Sequence, residues 1–147
     1  MLLVVKDLNE VYKNDSIVFR IDDVAFIGNR NDIEIFDKTG NQLLVLIPKK
    51  YKDSTSTIKT IKIIDARYKT ANGVNPMSTF GELKNNYKIS SIQNTLRNVV
   101  VFVNEIDAFF TIDKKELPAE LQFNPNAQIE AIQIPDKAKI KYFMIGW

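Results

Sequence analysis

The chain has 147 residues, of which 45% are hydrophobic and 26% charged, and its formal net charge is +2. It contains neither Cys nor His, which excludes disulfides, thiol nucleophiles, thiolate or imidazole metal ligands and Ser-His-Asp triads. The length suits a single domain over residues 1–147. Because the lysines are scattered among acidic residues, we expect no nucleic-acid interface. No apolar run approaches the roughly 20 residues of a transmembrane segment, so we expect none.

The first half of the chain carries the patterns of β-strands joined by tight turns, beginning near residue 11. Runs of β-branched, aromatic and alternating apolar residues predict strands at 16–21, 24–27, 33–36, 42–47 and 58–64. Between two of these, Asp37 and Gly40 supply turn chemistry, since Asp bonds its own backbone and Gly accepts positive φ. Residues 33–47 are therefore the clearest hairpin. The polar stretch 49–57 is predicted to be a surface loop.

One short helix is expected at residues 80–87, after a turn at Asn72-Gly73. Thr79 and Glu82 have the spacing of a capping box, and Ser78 is a competing N-cap. Gly81 is expected to weaken the helix by about 1 kcal/mol relative to Ala. Apolar residues at positions i, i+3 and i+7 form one stripe, namely Phe80, Leu83 and Tyr87.

The second half returns to strand patterns. The run 99–103 is entirely apolar, which predicts a central strand covered on both faces, and 108–112 follows it as a second hairpin. Asp113 begins a possible helical turn that Pro118 cuts short. Further strands are predicted at 129–134 and 140–145, with Trp147 at the edge of the core. The fold class is therefore α+β, a mainly antiparallel β-sheet with one short helix near residues 80–87.

Carboxylates are the main candidates for catalysis in a chain without His or Cys. Adjacent Asp22 and Asp23 would suit a hard cation or an acid/base pair, although a turn is the favoured interpretation. A glycosidase needs two carboxylates about 5–9.5 Å apart, and four acids would serve if folding brought two of them together. These four are Asp65, Glu82, Glu105 and Asp107. Three acids near the first hairpin could be calcium ligands, but a surface loop is the favoured interpretation because a calcium loop requires tightly regular ligand spacing. These acids are Asp32, Glu34 and Asp37. We expect no metal site and no cofactor.

The junction at 72–82 is the segment with the best features for binding a ligand. Backbone N–H groups at the start of the helix would suit a small anion. An exposed Phe or Tyr beside Tyr68 and Lys69 would make a stacking surface, although packing in the sheet is the favoured interpretation of the aromatic residues. The candidate ligand-binding residues are therefore Tyr68, Lys69, Asn72, Ser78 and Thr79.

The same segment resembles a pattern found in small, uncharacterised bacterial envelope proteins. Residues 68–74 match a strand followed by a T-x-x-G-[IV] turn, and Met77-Ser78-Thr79 matches the cap of the following helix. The family's helix exit has Gly after Tyr, whereas Lys88 follows Tyr87 here. The last residues, 140–147, also resemble the end of such domains. The resemblance covers about half the chain.

The resemblance implies export, often as a lipoprotein, with no known activity. We therefore expect a non-enzymatic exported or cell-envelope domain, located in the periplasm or at the envelope, that binds an envelope protein partner or a small ligand. The alternative is a carboxylate-dependent hydrolase acting on envelope glycan or a similar polymer. A cytoplasmic location is the alternative compartment.

Overall fold

A computed structural model describes residues 4–22, 30–50 and 53–146, with the backbone alone described at 20–22, 30 and 31. Eight strands and only short helices occur in this part of the chain, so the structure is dominated by β-strands as predicted. Contacts divide the chain into two compact units, residues 1–65 with 146–147 and residues 66–145. The assignment of one domain to the whole chain stays a prediction, and each unit is described by itself.

The first unit is an antiparallel meander that follows a short helical segment. A 3₁₀ turn at Val5–Asp7 leads into α1, Leu8–Val11, where the sequence had suggested the beginning of strand structure. The strands are β1 (Ser16–Asp22), β2 (Arg30–Phe36), β3 (Gln42–Pro48) and β4 (Ile58–Ile63). Each pairs with the next in the order β1-β2-β3-β4. The four corresponding predicted strands are confirmed, and the one at 24–27 lies outside the described residues.

The β2–β3 hairpin closes through the turn chemistry that its sequence predicted. The Asp37 carboxylate accepts hydrogen bonds from the backbone N–H of Thr39 at 2.9 Å and of Asn41 at 3.0 Å. Gly40 adopts φ +89°, a conformation in the left-handed region that a Cβ disfavours. Beyond the turn, Leu43 to Leu46 are buried in succession. Since successive strand residues face opposite ways, both faces of β3 are covered.

The second unit combines four strands with two helices. Its elements are α2 (Phe80–Asn86), β5 (Ser91–Asn94), β6 (Asn98–Val103), β7 (Ala108–Asp113), α3 (Ala119–Gln122) and β8 (Tyr142–Gly146). Short 3₁₀ turns lie at Asn104–Ile106, Lys114–Glu116 and Ala131–Gln133. The strands pair antiparallel in the order β8-β7-β6-β5. Within this unit, β5 therefore has a strand neighbour on one side only.

Helix α2 forms as the sequence predicted and ends one residue earlier. Thr79 Oγ1 accepts from the Glu82 backbone N–H and Glu82 Oε2 accepts from the Thr79 backbone N–H, each at 3.4 Å. These reciprocal bonds confirm the capping box and make Thr79 the N-cap. The apolar stripe is buried, because Phe80 and Leu83 are fully covered and Tyr87 is 8% exposed.

Strand β6 is central in its unit as predicted, since it pairs with β5 and β7, but its two faces are covered unequally. Val99, Val101 and Val103 are fully buried, whereas Val100 and Phe102 on the other face are half-buried. Phe102 stacks on Phe109 at 5.9 Å between ring centroids on that face. An all-apolar strand sequence cannot distinguish full cover from partial cover by neighbouring aromatic rings.

The strand predicted at 129–134 is wrong. Glu130 begins a 3₁₀ turn, with its backbone N–H donating to Gln133 Oε1 at 2.8 Å. This turn buries Ile129 and Ile134 and leaves Ile132 89% exposed. The side chains of Asp22 and Asp23, and the predicted position of Trp147, lie outside the described residues. Within the described ranges, no helix combines the length and apolar character that crossing a membrane requires.

Candidate functional site

The five residues predicted to bind a ligand all lie in the connection that leads into α2. Asn72 Nδ2 donates to the backbone carbonyl of Asn86 at 3.3 Å, which ties the turn to the end of the helix. Ser78 is 3% exposed and its Oγ accepts from the Asn75 backbone N–H at 3.0 Å. Thr79 caps the helix, Tyr68 is half-buried and Lys69 is exposed. Three of the five thus make contacts that shape the connection, and ligand binding by the group stays a prediction.

The start of α2 does not offer the free N–H groups that an anion would need. The backbone N–H of Phe80 donates to Ala138 O and that of Gly81 to Asp136 O, both at 2.8 Å. The N–H of Glu82 is used by Thr79. A connector with a capped helix therefore fits the contacts at this junction better than an anion site does.

A cleft of about 310 Å³ lies along β5, and we call it the β5 cleft. One wall is the start of β5 with the two residues before it, and the other wall is the segment 128–131. The lining residues are Ile89, Ser90, Ser91, Ile92, Gln128, Ile129, Glu130 and Ala131. Among the described backbone hydrogen bonds, none joins the two walls. The cleft thus separates a strand from a chain segment that runs near it without pairing.

The loop before the wall at 128–131 is held by the side chain of Asn94, the last residue of β5. Its Nδ2 contacts three backbone carbonyls, those of Asn124 at 3.1 Å, Pro125 at 3.3 Å and Ala127 at 2.8 Å. An amide nitrogen has two hydrogens, so these three contacts are shared between them. Asn94 therefore holds the loop that leads into the wall at 128–131.

Three large apolar side chains are exposed to solvent in segments that adjoin β5 or the wall at 128–131 along the chain. Ile132 directly follows the lining residue Ala131 and is 89% exposed. Phe123 directly precedes the loop held by Asn94 and is 85% exposed, and Leu96 in the turn after β5 is 77% exposed. Single exposed apolar residues are common on proteins. Three in segments that adjoin one cleft favour contact with a further molecule there.

A second cleft, of about 230 Å³, lies in the loop after β3. Its lining residues are Lys49, Lys50, Asp53, Thr55, Ser56 and Thr57. Hydrogen bonds from the hydroxyl and backbone N–H of Thr55 lower the pKa of Asp53. The buried Ser56 Oγ accepts from Lys50 N and donates to the Thr57 carbonyl. The polar groups of this cleft thus serve to fold the loop, so the β5 cleft is the better candidate site.

The acids proposed for hydrolysis include two whose contacts are structural. Glu82 completes the capping box of α2, and Glu105 Oε1 accepts from the Lys88 backbone N–H at 3.0 Å. Asp107 is exposed in the turn between β6 and β7 with φ +53°. Among the residues that the structure describes, no three or more Asp, Glu, His or Cys side chains are grouped so that they could hold a metal ion.

Sequence analysis missed β5 and therefore the cleft beside it. The signal was present but short, since Ser91 and Gln93 are exposed while Ile92 and Asn94 are half-buried. Four residues with one aliphatic side chain resemble a polar loop as closely as a strand. Comparisons with protein-family models, with curated proteins and with solved structures gave no match. The resemblance to bacterial envelope proteins therefore stays a prediction.

Proposed function

We propose that this chain is a non-enzymatic exported or cell-envelope domain that binds a partner, a protein segment in preference to a small ligand, in the β5 cleft. The observation that carries the proposal is the cleft itself, formed by an edge strand and an unpaired segment with exposed apolar side chains beside it. Such surfaces are usual where proteins bind other molecules.

The size and lining of the cleft favour a protein segment. Its volume of about 310 Å³ is at the lower limit of small-molecule sites, which span roughly 300–1,000 Å³. A small-molecule site also needs polar groups aimed at the ligand. Of the four polar lining residues, Glu130 and Ser90 already bond the chain itself, through the 3₁₀ turn and through the Asn104 backbone N–H, which leaves the exposed Ser91 and Gln128. A protein segment would use the exposed apolar side chains outside the cleft as well.

Binding is tested by selecting from a displayed library of random linear peptides on the immobilised protein. Ala131 is half-buried and lines the cleft, so Ala131→Trp should fill it. Ala119 is an exposed residue of α3, so Ala119→Trp is the matched control. We expect enriched peptides that bind the wild type and Ala119→Trp but lose most of their affinity for Ala131→Trp. No enriched peptide, or equal binding to all three proteins, would reject the proposal.

Export is supported by the resemblance of residues 68–87 and 140–147 to envelope proteins. It is tested separately, by fractionating cells that make the protein and probing each fraction with an antibody. We expect the signal in the periplasmic or envelope fraction. A signal confined to the cytoplasm would remove the compartment from the proposal and leave the cleft unaffected.

A further inference from the structure

We infer that the β5 cleft binds its partner by strand addition, in which an extended peptide pairs with the free backbone edge of β5. This inference rests on the proposed function and adds the conformation and chemistry of the partner. Its basis is the hydrogen-bonding pattern of β5, which determines the backbone groups that are directed away from β6.

The turn that joins β5 to β6 determines which residues of β5 direct their backbone N–H and C=O groups to β6 and which direct them away. Thr95 N–H donates to Asn98 O at 2.9 Å, so these residues form a hydrogen-bonded pair. Along an antiparallel ladder, hydrogen-bonded and non-hydrogen-bonded pairs alternate. The register continues through Asn94 with Val99, Gln93 with Val100, and Ile92 with Val101. Gln93 therefore bonds β6, whereas Ile92 and Asn94 direct their N–H and C=O to the opposite edge.

The start of the strand agrees with this alternation. Ser91 opposes Phe102 in the register, and the Ser90 N–H also donates to Phe102 O at 2.8 Å. Two residues thus oppose one, which is the pattern of a β-bulge. Because Ser91 belongs to a hydrogen-bonded pair, its neighbour Ile92 is again the residue whose backbone groups lie on the outer edge.

Of the two outward-directed residues, Ile92 is the one that lines the cleft. Asn94 lies at the end where its own side chain holds the loop 124–127. Ile92 is a lining residue of the cleft, so its N–H and C=O are available to a strand placed there. A peptide residue opposite Ile92 would exchange two hydrogen bonds with it, as in any narrow antiparallel pair.

The opposite wall limits what can enter. The segment 128–131 is connected to the loop that Asn94 holds, so β5 faces a wall rather than open solvent over this stretch. A partner that pairs with β5 here must lie between the strand and this wall, which a single extended chain does more readily than the edge of a second sheet. The four residues from Ile89 to Ile92 span about 13 Å, so about four partner residues would lie in the cleft.

The exposed side chains beside the cleft indicate the partner's composition. In an added strand, alternate side chains lie on the same face of the sheet. Ile132, Phe123 and Leu96 are all exposed in segments that adjoin β5 or the wall at 128–131 along the chain. The expected partner is therefore an extended peptide with apolar side chains at alternate positions and no proline at the residue that pairs with Ile92.

The test uses the peptides enriched on the wild-type protein and replaces their backbone N–H groups one at a time by N–CH₃. Strand addition predicts about a tenfold loss of affinity when the N–H that bonds the Ile92 carbonyl is methylated. Methylation of N–H groups directed away from β5 should have less effect, giving an alternating pattern. Affinities can be measured by fluorescence anisotropy of labelled peptides.

Variants of the protein test the same bond from the other side. Ile92→Pro removes the outward N–H without removing a bond to β6, and should weaken the peptide about tenfold. Ile92→Val keeps the backbone and should retain binding within about twofold, because the inference places the contact in the backbone. If Ile92→Pro fails to fold, the methylation pattern alone decides.

The two proposals fail in different ways. If no peptide depends on the cleft in the comparison of Ala131→Trp with Ala119→Trp, the proposed function itself fails. If peptides do depend on the cleft, but methylation shows no alternation, strand addition is wrong while binding stands. Ile92→Pro binding as tightly as the wild type would overturn strand addition in the same way.

Discussion

Replacing Gly81 by Ala should destabilise the protein, although helix propensity predicts the opposite. Ala is about 1 kcal/mol more favourable than Gly inside a helix. In the structure, however, the Gly81 N–H donates to Asp136 O at 2.8 Å, which brings the two backbones together. A Cβ added at Gly81 would lie 2.9 Å from Asp136 Cβ and 3.0 Å from Asp136 O. Contacts this short require the segments to move apart.

The magnitude follows from three opposing contributions. Forcing an extra methyl group into a packed site costs about 1–3 kcal/mol. Weakening the Gly81–Asp136 hydrogen bond adds about 0.5–1.5 kcal/mol, and the better helix propensity of Ala returns about 1 kcal/mol. The net loss is then about 0.5–3.5 kcal/mol. For a chain of this size each kcal/mol lowers the melting temperature by about 2–4 °C.

Urea denaturation followed by circular dichroism measures the free energy of unfolding of each variant, with thermal melts as a second readout. Asn85 lies on the same helix and is exposed, so Asn85→Ala is the matched control. We expect a small gain in stability for Asn85→Ala from propensity alone and a loss for Gly81→Ala. A Gly81→Ala protein as stable as the wild type, or more stable, would refute the close approach of Gly81 and Asp136.

Two further predictions concern the helix cap and acid stability. Thr79→Ala should lower the free energy of unfolding by about 0.5–2 kcal/mol because the Glu82 N–H loses its acceptor. Thr79→Ser keeps a hydroxyl and should retain most of the stability. An unchanged melting temperature for Thr79→Ala would reject Thr79 as the helix cap. Hydrogen bonding from the Lys115 N–H, followed by the charges of Lys115 and Lys141, lowers the pKa of Asp113 below its usual 3.8. Because the pKa of Asp113 is lower in the folded state than in the unfolded chain, its carboxylate stabilises the fold at pH values above the unfolded pKa. This stabilisation is lost as the pH falls through the folded pKa. Urea midpoints should therefore stay nearly constant from about pH 5.5 to 8, where no His titrates, and fall below about pH 4, less steeply in Asp113→Asn. A transition near pH 6.5 would contradict this.

The features found correctly in the sequence are those whose physical cause lies within a few residues. Asp37 and Gly40 build the first hairpin turn from their own side-chain and backbone properties. Thr79 and Glu82 cap α2 across three residues. The valine run of β6 favours an extended backbone wherever it is placed. These elements formed where they were predicted because no distant contact was needed to specify them.

The features that were wrong or missed depend on distant partners. The N–H groups at the start of α2 were expected to suit an anion, but those of Phe80 and Gly81 donate to the backbone carbonyls of Ala138 and Asp136. Gly81 was interpreted as a weakness of the helix, but its missing side chain allows the contact with Asp136. Residues distant in sequence made these assignments, so no local pattern indicated them.

The candidate site shows the same division. Tyr68 and Lys69 were chosen for a stacking surface and Asn72 for its turn motif, features that a sequence shows directly, whereas the β5 cleft has no motif. It exists because a short strand lies at the edge of its unit and because Asn94 bonds carbonyls some 30 residues away along the chain.

Composition and local pattern by themselves determined that this chain is rich in antiparallel strands, has one capped helix of about two turns and lacks histidine and cysteine chemistry. These properties depend on side-chain type and on spacing of a few residues. Only the tertiary structure decided which strand lies at an edge, which glycine admits a neighbouring backbone and which segment stands beside β5 without pairing. Each of these is a relation between residues far apart in the chain, and packing of the whole unit selects it.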